Sequence, residues 1–138
     1  MRWQEEVKTV TLEIRVYYED TDAGGVVYHS NYLKYFERGR TEYLRDRGFS
    51  VGEMARQGFV FSVVRIEINY RAPALHDDLL TVDTEVLEIR KSSFTLAQRV
   101  LRVSDEKLLA DGKVKLACVG PEMKPKRLPE EIIQALNE

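Results

Sequence analysis

The stretch VYYEDTDAGGVVYHSNYLKYFERGRTEYL, residues 16–44, decides the fold class, because it joins the end of a strand to a long helix through a polar loop. Its second half places apolar residues at the spacing of a helix that buries one face, with Gly39 on the same stripe. These apolar residues are Leu33, Phe36, Tyr43 and Leu44. The pattern predicts an amphipathic helix whose other face carries arginine and glutamate.

The two ends of this helix and its one internal glycine carry further information. Ser30 or Asn31 is expected to cap the start, and Gly48 is expected to end the last turn. A glycine such as Gly39 costs about 1 kcal/mol relative to alanine in a helix interior. We therefore expect another backbone to approach the helix closely at Gly39, as happens where a helix is pressed against a sheet.

Alternating apolar and polar residues predict strands on both sides of the helix. Before it, the alternation predicts a half-buried strand at about residues 9–18. After it, the apolar phase of a second strand is formed by Val64, Ile66, Ile68 and Tyr70. Three more strands are expected at about 79–90, 93–104 and 107–119, with short helices at about 50–57 and in the tail PEEIIQALNE.

One long helix and five strands with short turns predict a two-layer α+β domain, in which a curved antiparallel sheet wraps the helix. We expect residues 1–138 to form one domain, since the chain has the length of a single domain. The end strands of such a sheet leave open edges, which proteins pair or cover. Dimerisation through an edge is one way to do so.

Composition and charge exclude several classes of protein. Lys and Arg number 21 and Asp and Glu 23, so the net charge of −2 gives no general attraction to nucleic acid or to an anionic membrane. The single cysteine, Cys118, is expected to be a small buried residue. One cysteine and two histidines do not form a standard zinc site, and no metal is expected. The sequence shows neither a membrane span nor a signal peptide, which favours a cytoplasmic location.

The loop between the first strand and the helix concentrates chemically useful side chains. It holds the carboxylates of Glu19, Asp20 and Asp22 together with His29. The following helix start offers unpaired N–H groups and a positive dipole end to an anion or a developing oxyanion. The same residues also suit an ordinary turn before a helix, so a structural interpretation stays open. Their spacing fits neither a calcium loop, a phosphate-binding loop nor a serine-hydrolase elbow.

The order of these residues resembles the N-terminal signature of the 4-hydroxybenzoyl-CoA thioesterase family of hotdog-fold proteins. The family pattern D-x-D-x-x-G-x-V-x-[YH]-x-x-Y is matched by Asp20, Asp22, Gly25, Val27, His29 and Tyr32. The similarity continues through VRIEINYRAPALHDDLLTVDTEV and RKSSFTLAQRV, and the nearest branch is that of the acyl-CoA thioesterases associated with the Tol–Pal system. It implies a hotdog fold and the hydrolysis of an acyl-CoA to free acid and CoA.

The resemblance implies roles for three residues of the loop. Asp22 corresponds to the family's catalytic aspartate, which acts on the thioester carbonyl as nucleophile or general base. His29 corresponds to a position whose backbone N–H polarises the thioester oxygen, and Tyr18 to a tyrosine that lines the same site. No cofactor is implied, because CoA enters only as part of the substrate.

The resemblance also implies where CoA binds and how many chains form a site. The nucleotide part of CoA would contact a turn between two predicted strands, formed by Arg90, Lys91, Ser92 and Ser93. Family members place the active site between two subunits, so a homodimer or homotetramer is expected. A second basic cluster is interpreted as solvated surface; it contains Lys124, Lys126 and Arg127.

Other assignments stay open from the sequence. A second hotdog group carries its catalytic carboxylate on the helix, where Glu37 and Glu42 are candidates. Both have arginines three or four residues away, a spacing that favours ordinary ion pairs on the helix surface. A hydratase or dehydratase, or a sensor that binds acyl-CoA without turnover, would share the fold. A partner-binding protein of the cell envelope rests on the branch name alone. The acyl group is undefined, since either an acyl tunnel or the core could contain Tyr35, Met54, Phe59 and Phe61.

Overall fold

The computed structural model describes residues 9–138, and its elements follow the predicted order. Within these residues, five strands and three α-helices occur as β1 (Val10–Arg15), α1 (Asn31–Asp46), α2 (Val51–Arg56), β2 (Val60–Tyr70), β3 (Leu79–Ile89), β4 (Ser93–Arg102), β5 (Leu108–Val119) and α3 (Glu130–Leu136), and a short 3-10 helix spans Tyr18–Asp20. The first strand ends earlier than predicted, because the backbone of Val16 bonds to Asp77 and Asp78 instead of extending the ladder. The two-layer α+β prediction is confirmed.

The five strands form one antiparallel sheet in the order β1-β3-β4-β5-β2, which leaves β1 and β2 as its edges. One end of the sheet, here called the loop end, contains Arg15 paired with Leu79, and also the last residue of β2, Tyr70. The opposite end, here called the turn end, contains the β3–β4 turn and the start of β2. The 11 residues of β3 separate the two ends by about 33 Å.

The core lies between α1 and the inner face of the sheet. The largest fully buried side chains include Tyr35, Phe36 and Tyr43 of α1, and Phe94 of β4. Cys118 is fully buried among them, as predicted. The predicted inward phase of β2 is wrong at Val64, which is 55% exposed, because a β-bulge between Val63 and Arg65 shifts the register there.

Gly39 does sit at a close approach, but side chains rather than a backbone approach it. A Cβ at Gly39 would lie 2.9 Å from Gln98 Nε2, from Thr84 Oγ1 and from Val82 Cγ1. Arg40, which the sequence placed on the exposed face, is instead buried beside them and donates to Gln98 Oε1 at 3.3 Å. Gln98 in turn donates to Phe36 O at 2.8 Å and to Thr84 Oγ1 at 2.9 Å.

The ends of α1 lie where they were predicted. Ser30 occupies the N-cap position, without a side-chain capping bond, and Gly48 follows the helix with φ of +90°. This left-handed conformation is one that glycine adopts at low cost. Within residues 9–138, no helix combines the length and the apolar character needed to cross a lipid bilayer.

Candidate active site

The loop before α1 is a tight hairpin tied to a second loop. Thr21 and Val27 form an antiparallel bridge, and the Asp22 N–H donates to Val26 O at 2.9 Å. Gly25 closes the turn with φ of +80°. The Val27 N–H donates to Ala74 O at 2.9 Å, which ties the hairpin to the segment between β2 and β3.

The carboxylate of Asp20 holds this hairpin to the start of α1. Its Oδ2 accepts from the Tyr17 N–H at 2.8 Å, and its Oδ1 accepts from Asn31 Nδ2 at 3.0 Å. The Tyr28 N–H donates to the Asp20 carbonyl at 2.9 Å. Both carboxylate oxygens of Asp20 are therefore committed to the local structure, so Asp20 is a positioning residue.

Asp22, two residues later, is used differently. Its side chain is exposed, and its Oδ1 accepts only from the Gly24 N–H, at 2.8 Å. Within residues 9–138 its Oδ2 accepts no hydrogen bond. A Cβ at Gly24 would lie 3.2 Å from Asp22 Oδ1, so a larger residue would crowd the carboxylate. Asp22 is thus a positioned carboxylate with one oxygen open to a substrate or to water.

His29 lies in a cavity of about 310 Å³ at the start of α1. The cavity is lined by Val27, His29, Tyr32, Tyr70, Arg71, Ala72 and Pro73. The Tyr70 hydroxyl donates to His29 O at 2.8 Å, which fixes the peptide that enters the helix. Within the described residues, the N–H groups of His29 and Ser30 donate to no acceptor. Such N–H groups, at the positive end of a helix, can bind a carbonyl oxygen that gains negative charge.

A single chain does not gather all three predicted catalytic residues. Neither Asp22 nor Tyr18 lines the His29 cavity. Tyr18 is 79% exposed, and its ring contacts His76 at a centroid distance of 5.9 Å. The hairpin therefore carries Asp22 and His29 on one short segment but leaves Tyr18 against another loop.

Sequence reasoning did not identify Tyr70 and Tyr32 as residues of this cavity. Burial raises the pKa of both phenols, so each stays a protonated hydroxyl at neutral pH. The Tyr32 hydroxyl accepts from the Ala74 N–H at 3.3 Å. The sequence feature that could have identified Tyr70 is its position at the end of an apolar strand face. A buried tyrosine there commonly directs its hydroxyl group toward a hydrogen-bond partner.

The predicted CoA-binding turn lies at the turn end, opposite the His29 cavity. The Arg90 N–H donates to Ser93 O at 2.7 Å, and Arg90 pairs with Glu88 at 2.9 Å. The carbonyls of Lys91 and Ser92 accept from the C-terminal half of the chain, at 2.8 and 2.7 Å. The turn is rigidly held, but within one chain it lies far from the catalytic candidates.

The remaining candidates separate into surface, core and groove. Glu42 pairs with Arg45 at 3.0 Å on the surface. Tyr35 and Met54 belong to the buried core, and Phe59 lies under the Lys126 ammonium, 3.9 Å from it. Lys124 pairs with Glu122 at 3.5 Å, and Arg127 is exposed.

A small groove of about 180 Å³ between α1 and β2 includes Glu37, Phe61 and Val63. Among residues 9–138, no cluster of His, Cys, Asp or Glu is arranged to hold a metal ion.

Comparison with known proteins gives a consistent assignment. The sequence profile of the Thioesterase-like superfamily matches residues 16–136. The chain is 45% identical over 126 residues to the acyl-CoA thioesterase YbgC of Haemophilus influenzae, covering 90% of this chain and 91% of that protein. It is 43% identical over 126 residues to the acyl-CoA thioester hydrolase YbgC of Escherichia coli O6:H1, covering 91% and 93%. The 1,4-dihydroxy-2-naphthoyl-CoA thioesterase Slr0204 of Synechocystis superposes with a TM-score of 0.88 at 26% identity, covering 95% and 97%.

Proposed function

We propose that this chain, which belongs to the thioesterase-like superfamily of hotdog-fold thioester hydrolases, hydrolyses acyl-CoA with Asp22 as its catalytic carboxylate. The observation that carries the proposal is the geometry at the start of α1. There Tyr70 bonds the His29 carbonyl, His29 lines a cavity and its N–H has no acceptor among residues 9–138, and Asp22 is held open on the same hairpin.

The chemistry follows from these two elements. The N–H groups at the start of α1 stabilise the oxyanion that forms when the thioester carbonyl is attacked, and one such donor contributes a factor of about 10²–10³. Asp22 either attacks the carbonyl carbon, giving a mixed anhydride that water then hydrolyses, or removes the proton from an attacking water. In both routes the carbon–sulfur bond breaks and the CoA thiolate takes up a proton. A positioned base contributes roughly 10²–10⁴-fold.

The open edge of β2 supports a site built from two chains. β2 is an edge strand, and Val60, Val63 and Val64 are exposed along it. Two copies of β2 that pair antiparallel would place the turn end of one copy beside the loop end of the other. The Arg90–Ser93 turn of a second copy would then lie near the His29 cavity, so a homodimer accounts for the separation of these groups in one chain.

The catalytic proposal is tested by following thiol release from short, long and aromatic acyl-CoAs. We expect Asp22→Asn to lower kcat/KM by at least about 10²-fold, the scale of a lost positioned base, with little change in stability. Asp22→Asn keeps the size of the side chain and can still accept from Gly24, so the hairpin is preserved. Equal activity of the two proteins would remove Asp22 from this role and direct attention to Glu37.

The two-chain site is tested by mixing two impaired variants at an acyl-CoA concentration at which each alone has little activity. One carries Asp22→Asn, and the other carries Arg90→Ala with Lys91→Ala. If the site combines Asp22 of one copy with the turn of the other, each mixed dimer has one unmodified site, and random exchange restores about one quarter of the wild-type activity. A mixture without recovered activity, in a sample shown to exchange subunits, would place both groups in the same chain's site. The role of Tyr18 and the cytoplasmic location stay predictions.

A further inference from the structure

The outer face of the sheet, away from α1, carries a groove of about 680 Å³ that the proposed mechanism does not use. Its charged residues are Arg65, Glu67, Glu88, Arg90, Lys113 and Lys115. It is lined by two more cations than carboxylates, although the whole chain has a net charge of −2. Positive charge is therefore concentrated in this groove.

The carboxylates of the groove are already committed to arginines. Glu67 pairs with Arg65 at 2.6 Å, and Glu88 pairs with Arg90 at 2.9 Å. Among the ion pairs of residues 9–138, none includes Lys113 or Lys115. Neither ammonium group forms an ion pair within residues 9–138, and Glu67, the register partner of Lys113, is already paired with Arg65.

The strand register places one pair of like charges directly opposite each other in the groove, while the neighbouring pair, Glu67 and Lys113, is of opposite charge. Arg65 of β2 is the register partner of Lys115 of β5. Cations in this position on one face of a sheet repel each other, so the fold carries a local cost here. A bound anion would offset that repulsion, which is a second indication, besides the unpaired lysines, that the groove receives a negatively charged ligand.

We propose, resting on the acyl-CoA hydrolase function above, that this groove binds the phosphate groups of the CoA nucleotide through Arg65, Lys113 and Lys115. Arg90 belongs both to this groove and to the predicted CoA-binding turn, so the two surfaces are continuous. Glu88 of β3 is the register partner of Thr95 of β4, and Thr95 is the register partner of Lys115 of β5. Lys115 therefore lies two strand spacings, or about 10 Å, from Glu88. The volume lies within the range of about 300–1,000 Å³ that suits a small-molecule ligand.

A second copy of the chain is a poorer occupant for this face. Two such grooves packed together would bring two sets of unpaired lysines into contact, and the carboxylates of the groove, which arginines already hold, would not offset the repulsion. The polyanionic end of CoA supplies the opposite charge instead.

The test compares two thioesters that differ only in the nucleotide. Wild type and Lys113→Gln/Lys115→Gln are assayed with an acyl-CoA and with the matching acyl-N-acetylcysteamine thioester, which lacks all phosphates. We expect KM for the acyl-CoA to rise about three- to tenfold, with kcat and all constants for the short thioester unchanged. Lys107→Gln, in the loop between β4 and β5 and outside the groove, controls for the loss of a positive charge.

Each other outcome overturns the proposal. An unchanged KM for the acyl-CoA means that the lysines do not contact the nucleotide. Equal changes for both thioesters mean that the substitutions act through the fold. A loss of the same size in Lys107→Gln means that the effect belongs to net charge rather than to the groove.

Direct binding separates this proposal from the hydrolase assignment. Titration calorimetry with free CoA and with pantetheine needs no turnover, so it remains decisive even if no thioester is cleaved. We expect the double variant to bind CoA three- to tenfold more weakly, and pantetheine as the wild type does. Lys115→Glu should raise the midpoint of thermal unfolding, because it replaces a repulsion with Arg65 by an attraction, while it weakens CoA binding. Weaker CoA binding together with lower thermal stability would indicate a structural lysine and overturn the proposal.

Discussion

Two regions of this molecule are rich in polar groups, and they use them in opposite ways. In the hairpin before α1, Asp20 bonds the backbone and Asn31, while Asp22 is exposed with one oxygen unengaged. In the contact between α1 and the sheet, here called the Gln98 contact and formed by Gly39, Arg40, Thr84 and Gln98, the side-chain groups bond to one another.

The difference teaches how to separate functional from structural polarity. Polar groups that satisfy each other inside the protein stabilise one arrangement of the helix on the sheet, and removing one leaves the others buried without a partner. A polar group that is held in place but left open has capacity for a ligand. Substitutions in the Gln98 contact should therefore reduce stability, and substitutions in the hairpin should reduce activity.

The largest expected effect is in the Gln98 contact. Gln98→Leu removes two donated bonds and the acceptor of the buried Arg40 guanidinium, so we expect the free energy of unfolding to fall by about 3 kcal/mol. Urea denaturation measures this, with Gln134→Leu on the exposed face of α3 as the matched control, expected within about 0.5 kcal/mol of wild type. A loss below about 1 kcal/mol would show that the contact is not a stabilising element.

Gly39→Ala tests the packing of the same contact through the sign of its effect. Helix propensity alone predicts a gain of about 1 kcal/mol, but the new Cβ would meet three buried side-chain atoms at 2.9 Å. We expect a net loss of about 1–3 kcal/mol in the free energy of unfolding, measured by urea denaturation. Gly52→Ala in α2 is the control, since its nearest atom is 4.0 Å away, and it should gain about 0.5–1 kcal/mol. A gain at Gly39 as well would mean that the helix does not press on the sheet.

The same pair of regions shows what sequence could predict. Apolar spacing placed α1 and β2 to β5 within a few residues, because one-face burial imposes a period that a sequence records directly. Arg40 was misplaced because its partner, Gln98, lies 58 residues away, and no local pattern announces such a bond. Val64 was misplaced because a β-bulge breaks the period.

The residues of the candidate site also differ in whether the sequence could predict them. Asp22 and His29 could be proposed because the short segment that contains them resembles the signature of a known family. Tyr70 could not, since its hydroxyl reaches His29 only through the pairing of a strand 41 residues further along the chain. The separation of the Arg90–Ser93 turn from Asp22 also depends on sheet topology, which residue spacing does not contain.

A pH-dependent effect of similar size tests the junction between the two regions. The hydroxyl of Tyr35 is buried beside Asn31 and Asp20 without meeting hydrogen-bond geometry, and burial, more than any other factor, raises its pKa to about 12. The folded state then holds this proton more tightly than the unfolded chain, whose tyrosine titrates near pH 10. Its contribution to stability is fully present below about pH 10 and is lost as the pH rises toward 12, by up to roughly 2–3 kcal/mol.

The measurement is the free energy of unfolding between about pH 9 and about pH 11, in wild type and in Tyr35→Phe. We expect the wild type to lose stability more steeply, while the variant retains the smaller decline that Tyr32 and Tyr43 cause, since burial raises the pKa of both. Parallel curves would show that Tyr35 ionises as readily in the folded protein as in the unfolded chain.

The smallest effect sharpens the assignment of the hairpin region to function. Tyr70→Phe removes one hydrogen bond, of 2.8 Å, to His29 O and keeps the ring that packs on Tyr32. A bond worth about 1 kcal/mol would lower kcat about fivefold if the His29 peptide must be held for catalysis, with the unfolding free energy nearly unchanged because Tyr70 is half exposed. Tyr28→Phe is the control, since the Tyr28 ring lies 4.5 Å from the His29 ring and its hydroxyl bonds to nothing among residues 9–138. A loss of stability at constant kcat would move Tyr70 to the structural side of the comparison, and the oxyanion role of the α1 start would then lose its support.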